Sequence, residues 1–550
     1  MFVTLKRIAL VSSLIGLIVL VGGIIYYKNL ANYTASLDTR PFNMGLVGTV
    51  ETFEPALITN HEEKLVASSM YEGLVVYDEA EKLIKPCLAK SWKYGADGKS
   101  LILTLKSNVK FHNGKPFTAQ DVKDAWENSF STTKDWTNVS LFMSISGTSD
   151  RLEGKNADIS GIVVVDKTML KVVFDEPNAA FISMLTNPVF WVYDIEDKVE
   201  NRSGTGPFIF KEKKEPNQLL LLRNEKYHVE RPRIAALNIK LYQDNLEAFG
   251  EYKNGKLDYL DEVPLAEIKN VKNSDKYKPY YIDKPLLEIY ALGFNVNQEP
   301  YTGDYLLRRA LNYAIDRKAI AEEVFGGTYR PARAVLPVGI NAYNTEMRGY
   351  TYDPEKARLL LEEADHPMGE GLKPIIITYN NDEGHKMIAE SIAQQLMELG
   401  LQVNIQAMDW EYYKKQLGKM EIDCFRLGWY ADYPDADSFL YSLYHSSKIG
   451  ISNYSNYHNP QVDKILDASR AENKSQQERI KLLKRAEEII VDDAPNLWLF
   501  QKQANKLISK DINKLEVNSM GMLNWHEIEL LKPSIDEETS DPDNPVKNKV

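Results

Sequence analysis

Residues 109–122 read VKFHNGKPFTAQDV, and this stretch does most to decide the fold. Asn113-Gly114 supplies the positive φ of a tight turn, so we expect the chain to reverse there. Thr118, followed three residues later by Asp121, has the spacing of a helix capping box. Apolar residues then recur at helical spacing across residues 122–130. The stretch therefore predicts a turn followed directly by a helix.

The rest of the chain divides into two regions with different predicted secondary structure. Strand-like alternation covers residues 101–106, 161–166 and 170–174. From about residue 300 the chain alternates between helical and strand patterns, with helices expected at 305–314, 354–364, 384–399 and 476–491 and strands at 374–379 and 401–408. Such alternation is typical of a parallel α/β sheet, and lobes of that type bind ligands at interdomain clefts.

Size and composition narrow the class of protein. A chain of 550 residues exceeds the size at which one hydrophobic core stops growing, so two or three packed lobes are expected. The net charge of −12 argues against nucleic acid as a partner, because phosphate binding needs an excess of Lys and Arg. The two cysteines, Cys87 and Cys424, lie far apart and have no metal-binding spacing, so free thiols are expected.

The two ends of the chain differ in character from its body. Residues 8–27 are uncharged and, at about 1.5 Å per helical residue, match the ~30 Å core of a bilayer. The following residues match a cleavage site poorly, which favours an uncleaved anchor over a cleavable signal. Lys6 and Arg7 before the run place the N-terminus in the cytoplasm and the body outside, as a single-pass membrane protein. Residues 534–550 are acidic and predict a disordered tail.

Motifs for catalysis and for metal binding are not found. The sequence contains no H-E-x-x-H, G-x-S-x-G or G-x-G-x-x-G motif, and the Gly-Lys-Ser at 98–100 lacks the first glycine of a phosphate-binding loop. The eight histidines are scattered, and His112 is interpreted as a residue of the fold. We therefore expect no catalytic residue, no metal site and no cofactor, and a binding protein in place of an enzyme.

Several blocks occur in a fixed order along the chain. They are PCLAKSW at 86–92, DGK at 97–99, the stretch 109–122, GTGPF at 204–208, RRALNYAIDR at 308–317 and GWYADYPD at 428–435. This ordered set resembles family 5 of the bacterial extracellular solute-binding proteins, which serve oligopeptide, dipeptide and nickel ABC importers, and it is closest in motif to the oligopeptide-binding type. The resemblance implies a mixed α/β, three-lobed fold of the periplasmic-binding-protein type (type II, cluster C).

The same resemblance implies a division into lobes. Residues 1–37 would form the cytoplasmic tip, anchor and linker. Lobe I would comprise 38–70, 201–290 and 501–533, lobe II would comprise 71–200 and pack on lobe I, and lobe III would comprise 291–500. Two crossing strands would join lobes I and III, which close around the ligand. The implied function is capture of short peptides and their delivery to a permease, by a protein expected to be a monomer.

Residues 423–435, DCFRLGWYADYPD, carry the argument about the ligand. Burying the ammonium of a peptide without a partner costs several kcal/mol, so a peptide site should offer it a carboxylate. In peptide-binding relatives the Asp of the G-W-x-x-D pattern takes this role, which carries over to Asp432. Oligopeptide-binding members also have an Arg six residues earlier, available to a peptide carboxylate, and Arg426 stands there.

If residues 423–435 are extended, further residues of the expected site can be named. Arg426 and Asp432 would then share one face, with Cα atoms at most about 20 Å apart. The backbone of Gly428 and Tyr430 would pair with the peptide as an added strand, and Trp429 would wall the pocket. An opposite strand is expected around Thr59 and His61, where the resemblance is loose.

Alternatives remain open at this point. Asp432 is also compatible with a plain turn residue, and Arg426 with half of an internal ion pair. The same fold also suits another cargo, such as a nickel chelate, haem or an oligosaccharide. A membrane-tethered sensor or chaperone without a permease is a further alternative, since the expected uncleaved anchor differs from the lipid anchor of many relatives.

Overall fold

The computed structural model describes residues 40–132, 139–197, 203–298 and 302–531. The membrane anchor expected at residues 8–27 and the acidic tail expected at 534–550 lie outside these ranges. Within them, no helix combines the length and apolar character needed to cross a bilayer. Single-pass anchoring therefore stays a prediction of the sequence.

The first half of the described chain is mostly strands, and helices and strands mix more evenly after about residue 300. Strands β1 to β19 are Pro41–Val47, Val75–Asp78, Leu83–Pro86, Ala89–Tyr94, Ser100–Leu105, Ile162–Asp166, Met169–Val173, Phe208–Glu215, Gln218–Arg223, Ala236–Tyr242, Tyr259–Leu260, Tyr281–Phe294, Tyr329–Pro331, Ile375–Asn380, Val403–Met408, Cys424–Tyr430, Asn496–Ile508, Ile512–Lys514 and Glu529–Leu530. Helices α1 to α14 are His61–Ala67, Ala119–Thr132, Thr148–Leu152, Phe181–Met184, Asn245–Lys253, Ile268–Asn273, Tyr305–Ala314, Arg317–Glu323, Pro354–Glu363, Glu383–Met397, Trp410–Gly418, Asp437–Tyr444, Pro460–Ala471 and Gln476–Asp493.

Residues 109–122 form the turn and the helix that their sequence predicts. Gly114 has φ of +91°, and the backbone N–H of Phe111 donates to the carbonyl of Lys115 across the turn. The carboxylate of Asp121 accepts from the backbone N–H of Thr118 at 2.8 Å and from its hydroxyl at 2.7 Å. Helix α2 then begins at Ala119. The elements expected from periodicity are likewise confirmed, with ends shifted by up to three residues.

One large mixed sheet runs through the molecule. Its strand order is β15-β14-β16-β12-β17-β11-β1-β10-β9-β8, with β13 also paired to β17. Pairing is parallel between β14 and each of β15 and β16, as helix–strand alternation predicts. The long strands β12 and β17, however, pair antiparallel with each other, and β12 pairs antiparallel with β16. The sheet is therefore mixed, because β12 and β17 cross between regions of the chain and are not successive strands of helix-linked parallel units.

The crossing strands β12 and β17 change register at two places, between Pro285 and Ile289 and between Tyr290 and Ala291. Their pairing is interrupted between Pro285 and Ile289, where β12 bulges. The buried side chain of Gln501 holds this bulge: its amide nitrogen donates to the carbonyls of Leu286 and Val338, both at 2.9 Å. A bulge bends a strand locally, so this position separates the half of the pair near lobe I from the half within lobe III. We keep the lobe names for the residue ranges given above; the division itself stays a prediction.

The glycines of the GTGPF block serve a close backbone crossing. A Cβ built on Gly204 would lie 2.1 Å from the carbonyl oxygen of Met70, and one on Gly206 would lie 2.6 Å from the same oxygen. Nε2 of His112 lies 3.0 Å from the carbonyl oxygen of Gly206, beneath this crossing. Residues 109–122 and 204–208 thus stabilise the fold together, and His112 contributes through its contact with the carbonyl of Gly206.

Candidate ligand-binding cleft

A cavity of about 1250 Å³ lies between residues 139–187 of lobe II and residues 429–471 of lobe III. Its lining includes Trp429, Tyr430 and Asp432 of the segment that the sequence analysis selected. The lobes touch beside it, because the side-chain amide of Asn187 donates to the backbone carbonyl of Asp432 at 2.9 Å. The cavity is somewhat larger than the ~300–1,000 Å³ of ordinary small-molecule sites.

The backbone of Asp432 is fixed while its carboxylate is left without a partner. Its N–H donates to the hydroxyl of Ser438 at 3.0 Å, and Trp429 beside it donates from Nε1 to the carbonyl of Ser438 at 2.8 Å. Within the described part of the chain, no hydrogen bond or ion pair reaches the Asp432 carboxylate. Burial raises its pKa to about 6, although the charge of Lys64 works in the opposite direction.

Lys64 is the cation that faces Asp432 from lobe I. It lies on α1, and its Nζ is 5.3 Å from the centre of the Tyr430 ring. Burial lowers the pKa of Lys64 to about 8, against the opposing charge of Asp432. The two charges therefore sense one another without forming an ion pair within 4.0 Å. The sequence motifs did not point to Lys64, because it lies outside the blocks that carry the family resemblance; its place on helix α1 brings it to the cleft.

The strand that precedes Asp432 has one open edge. On one side, β12 pairs with β16 along the whole length of β16. On the other side, β14 pairs with β16 only at Cys424 and Phe425. The N–H of Ala431 donates to Leu287 on the β12 side, so the backbone groups of odd-numbered residues face β12. The N–H and C=O groups of Gly428 and Tyr430 consequently face the other way, toward an edge that no described strand covers.

Arg426 lies further along β16, outside the lining of the large cavity. Its guanidinium is 5.4 Å from the centre of the Tyr290 ring, and its backbone carbonyl accepts from the hydroxyl of Tyr413 at 2.6 Å. No described carboxylate lies within ion-pairing distance, and its buried Nε has no hydrogen-bond partner among the described residues. Burial together with the charge of Arg426 lowers the pKa of neighbouring His385 to about 4, so that ring is neutral.

The expected strand around Thr59 and His61 is not what the structure contains. Thr59 lies in an exposed loop, and its N–H donates to the carboxylate of Glu63 at 3.1 Å. Asn60 caps α1, which begins at His61. Nε2 of His61 lies 3.3 Å from Asp261, and neither Thr59 nor His61 lines the large cavity. The acidic pair at Glu62 and Glu63 favours a helix N-terminus here, because carboxylates stabilise the first turn.

The described residues contain no group of three or more His, Cys, Asp or Glu side chains placed to hold a metal ion. Both cysteines are free: Cys424 is buried in β16, and Cys87 is half-buried, as the sequence spacing led us to expect. Among the described residues, the cleft offers the Asp432 carboxylate without a partner and an open edge of β16, and Arg426, outside the cavity lining, has no acidic partner. This arrangement suits binding of a small extended solute, and so defines the molecule as a solute-binding protein.

Comparison with known proteins leads to the same class. The family model of the bacterial extracellular solute-binding proteins, family 5, matches residues 84–450. Heme-binding protein A of Haemophilus influenzae is 30% identical over 473 residues, covering 81% of this chain and 84% of that protein. The oligopeptide-binding protein OppA of Bacillus subtilis is 25% identical, covering 85% of this chain and 87% of that protein. The structure of HbpA2 from Haemophilus parasuis superposes with a TM-score of 0.76 at 23% identity, covering 89% of this chain and 100% of that chain.

The chain therefore belongs to family 5 of the bacterial extracellular solute-binding proteins. The family resemblance read from the sequence is confirmed, as is the mixed α/β periplasmic-binding-protein fold. The relatives are named for the solutes they bind, which agrees with a binding protein and not an enzyme.

Proposed function

We propose that this protein is the extracytoplasmic substrate-binding subunit of a peptide ABC importer, and that it captures short peptides in the cleft beside Asp432. The observation that carries the proposal is the Asp432 carboxylate, which lines the cavity and has no partner in the described chain. A half-buried carboxylate with no cation in ion-pairing contact costs free energy, and the ammonium of a peptide that pairs with it directly removes that cost. Delivery to a membrane permease, tethering through residues 8–27 and a monomeric state belong to the same proposal.

Two further features support a peptide over other solutes. The N–H and C=O groups of Gly428 and Tyr430, which no described strand pairs with on that edge, offer hydrogen bonds to an extended main chain, which gives affinity regardless of peptide sequence. Arg426 lies on β16, six residues before Asp432, and is without an acidic partner among the described residues, so it suits a carboxylate. Trp429 would then lie against the peptide as part of the pocket wall.

The direct test is a calorimetric titration of the purified ectodomain with Ala-Ala-Ala and with its N-acetylated form. We expect the free peptide to bind and the acetylated peptide to lose most of the affinity, because acetylation removes the ammonium. Asp432→Asn should reduce the affinity for the free peptide to about that of the acetylated one. Asp467→Asn is the matched control, since Asp467 lines the same cavity but is exposed and lies 3.3 Å from His445.

Equal affinity for both peptides, or an unchanged affinity in Asp432→Asn, would refute the amine-binding role. Native mass spectrometry of protein purified without added ligand distinguishes the other cargoes. A haem, a nickel chelate or an oligosaccharide retained at one equivalent would replace the peptide proposal while leaving the family membership intact.

A further inference from the structure

On the lobe II side, the large cavity is lined by polar atoms that the fold leaves unpaired. Asn178 is only 1% exposed, and its Oδ1 has no hydrogen-bond partner among the described residues. Its Nδ2 lies 3.8 Å from the sulfur of Met184, a weak contact. The buried hydroxyl of Ser144 is likewise without a partner in the described chain. Both residues line the cavity, so its wall on the lobe II side contains buried polar atoms whose hydrogen-bonding capacity the described residues leave unused.

On the lobe III side, the same cavity is lined by two cations with different surroundings. Arg470 makes two hydrogen bonds to Asp437, at 2.9 and 2.7 Å, and lies 3.2 Å from the centre of the Tyr441 ring. Lys448 is half-buried and has no carboxylate within 4.0 Å among the described residues, with the Tyr441 ring centre 5.9 Å away. Burial and the nearby charge of Arg470 lower its pKa.

The lining holds four carboxylates, those of Asp175, Glu176, Asp432 and Asp467, and among the described residues none of them lies within 4.0 Å of the Lys448 ammonium. Asp175 and Glu176 are exposed on lobe II, and Glu176 is paired with Lys99 at 3.0 Å. Asp467 is 61% exposed and lies 3.3 Å from His445. An anion that enters the cavity therefore finds a half-buried cation with no carboxylate within 4.0 Å among the described residues, and across the cavity the side chain of Asn178, whose Oδ1 has no partner there.

We propose that this cavity receives an acidic side chain of the captured peptide, with Lys448 pairing with its carboxylate and Asn178 accepting a hydrogen bond from a peptide N–H. The inference rests on the proposed peptide-binding function and adds a preference to it. It also gives lobe II a direct part in ligand binding. Arg426 is not part of this subsite, since it lies outside the lining of the cavity.

The test compares Ala-Glu-Ala with Ala-Gln-Ala by calorimetry on the wild type, Lys448→Gln and Lys464→Gln. Lys464 is an exposed lysine of lobe III outside the lining, so Lys464→Gln makes the same change of charge elsewhere. We expect the wild type to favour Ala-Glu-Ala by about fivefold or more. Lys448→Gln should abolish that preference, and Lys464→Gln should keep it.

A second variant examines the lobe II side. Asn178→Ala should weaken both peptides by about threefold without lowering the melting temperature, because the replaced amide has no strong hydrogen bond in the free protein. A lower melting temperature with unchanged affinity would instead show a purely structural role and contradict the inference for Asn178.

The outcomes separate this inference from the proposed function. If peptides bind and depend on Asp432 but show no preference for glutamate, or if the preference survives Lys448→Gln, only the acidic subsite is refuted. A preference that disappears in Arg426→Gln and survives in Lys448→Gln places the acid elsewhere and also refutes it. If neither Ala-Ala-Ala nor the two test peptides bind, both proposals fail together.

Discussion

Asp432 and Asp435 lie three residues apart in one turn, and the fold treats them in opposite ways. Asp435 is 1% exposed and makes two hydrogen bonds of 2.7 Å to the guanidinium of Arg479. Asn341 donates to it as well, at 2.9 Å. Asp432 faces the cleft, and its carboxylate has no partner among the described residues. The fold thus pairs one carboxylate internally and leaves the other without a partner among the described residues, and it is the second that we propose binds the ligand, although the two side chains are chemically identical.

Of the changes that test the difference between Asp432 and Asp435, we expect the largest effect from replacing Arg479, and this effect is on stability. Arg479→Leu would leave the Asp435 carboxylate buried without its cation, and we expect a loss of about 3–5 kcal/mol in the free energy of unfolding. Urea denaturation followed by circular dichroism measures it. Arg485→Leu is the control on the same helix, because Arg485 is 58% exposed and pairs with Glu488 at the surface. Its cost should stay within about 0.5 kcal/mol, and equal costs at the two sites would contradict the comparison.

The next effect concerns affinity and involves Asp432. Asp432→Asn should cost about 2 kcal/mol or more in binding of Ala-Ala-Ala, roughly 30-fold, because the ligand ammonium loses its partner. The free protein should not lose stability, since its burial-raised pKa shows that the ionised carboxylate is held at a cost. Asp435→Asn should show the reverse, a loss of stability. The comparison fails if both variants lose stability alike.

A third prediction follows from the pKa of Asp432, which burial raises to about 6. Because the ligand ammonium pairs with the ionised carboxylate, binding is strongest above this pKa and weakens as the pH falls through it. Affinity for Ala-Ala-Ala should therefore drop by about tenfold between pH 7 and pH 5. The peptide ammonium remains protonated throughout this range. Calorimetry at several pH values measures the drop, and Asp432→Asn should remove it; a pH-dependent loss that persists in this variant belongs to another group.

The smallest effect is expected at the open edge of β16. A Cβ on Gly428 would lie 2.6 Å from Nη2 of Arg426, so Gly428→Ala should displace that guanidinium. We expect a loss of about threefold in affinity for Ala-Ala-Ala with little change in melting temperature. Gly250→Ala is the matched control, because its Cβ would meet nothing within 4 Å. An unchanged affinity in Gly428→Ala would argue that peptides do not use this edge.

Local sequence predicted much of the fold. The turn and helix of residues 109–122, the helix Tyr305–Ala314 and the close glycine crossing at Gly204 each depend on neighbouring residues or on a backbone geometry that glycine allows. The strand expected at Thr59 and His61 was wrong, because a loose resemblance outweighed the local signals of Asn60, Glu62 and Glu63 for a helix start. The direction of pairing in β12 and β17 also escaped prediction, since it depends on how distant segments meet.

The sequence by itself determined the family, the order of the elements and the segment that holds Asp432. Only the tertiary structure decided which charge in that segment has no partner among the described residues, because the partner of Asp435 is Arg479, 44 residues away on helix α14. It also decided that Asn178 and Lys448, 270 residues apart in the chain, line one cavity. The physical reason is that a charge or a polar atom is satisfied by whatever the fold brings within about 3 Å of it, and sequence spacing does not encode that distance.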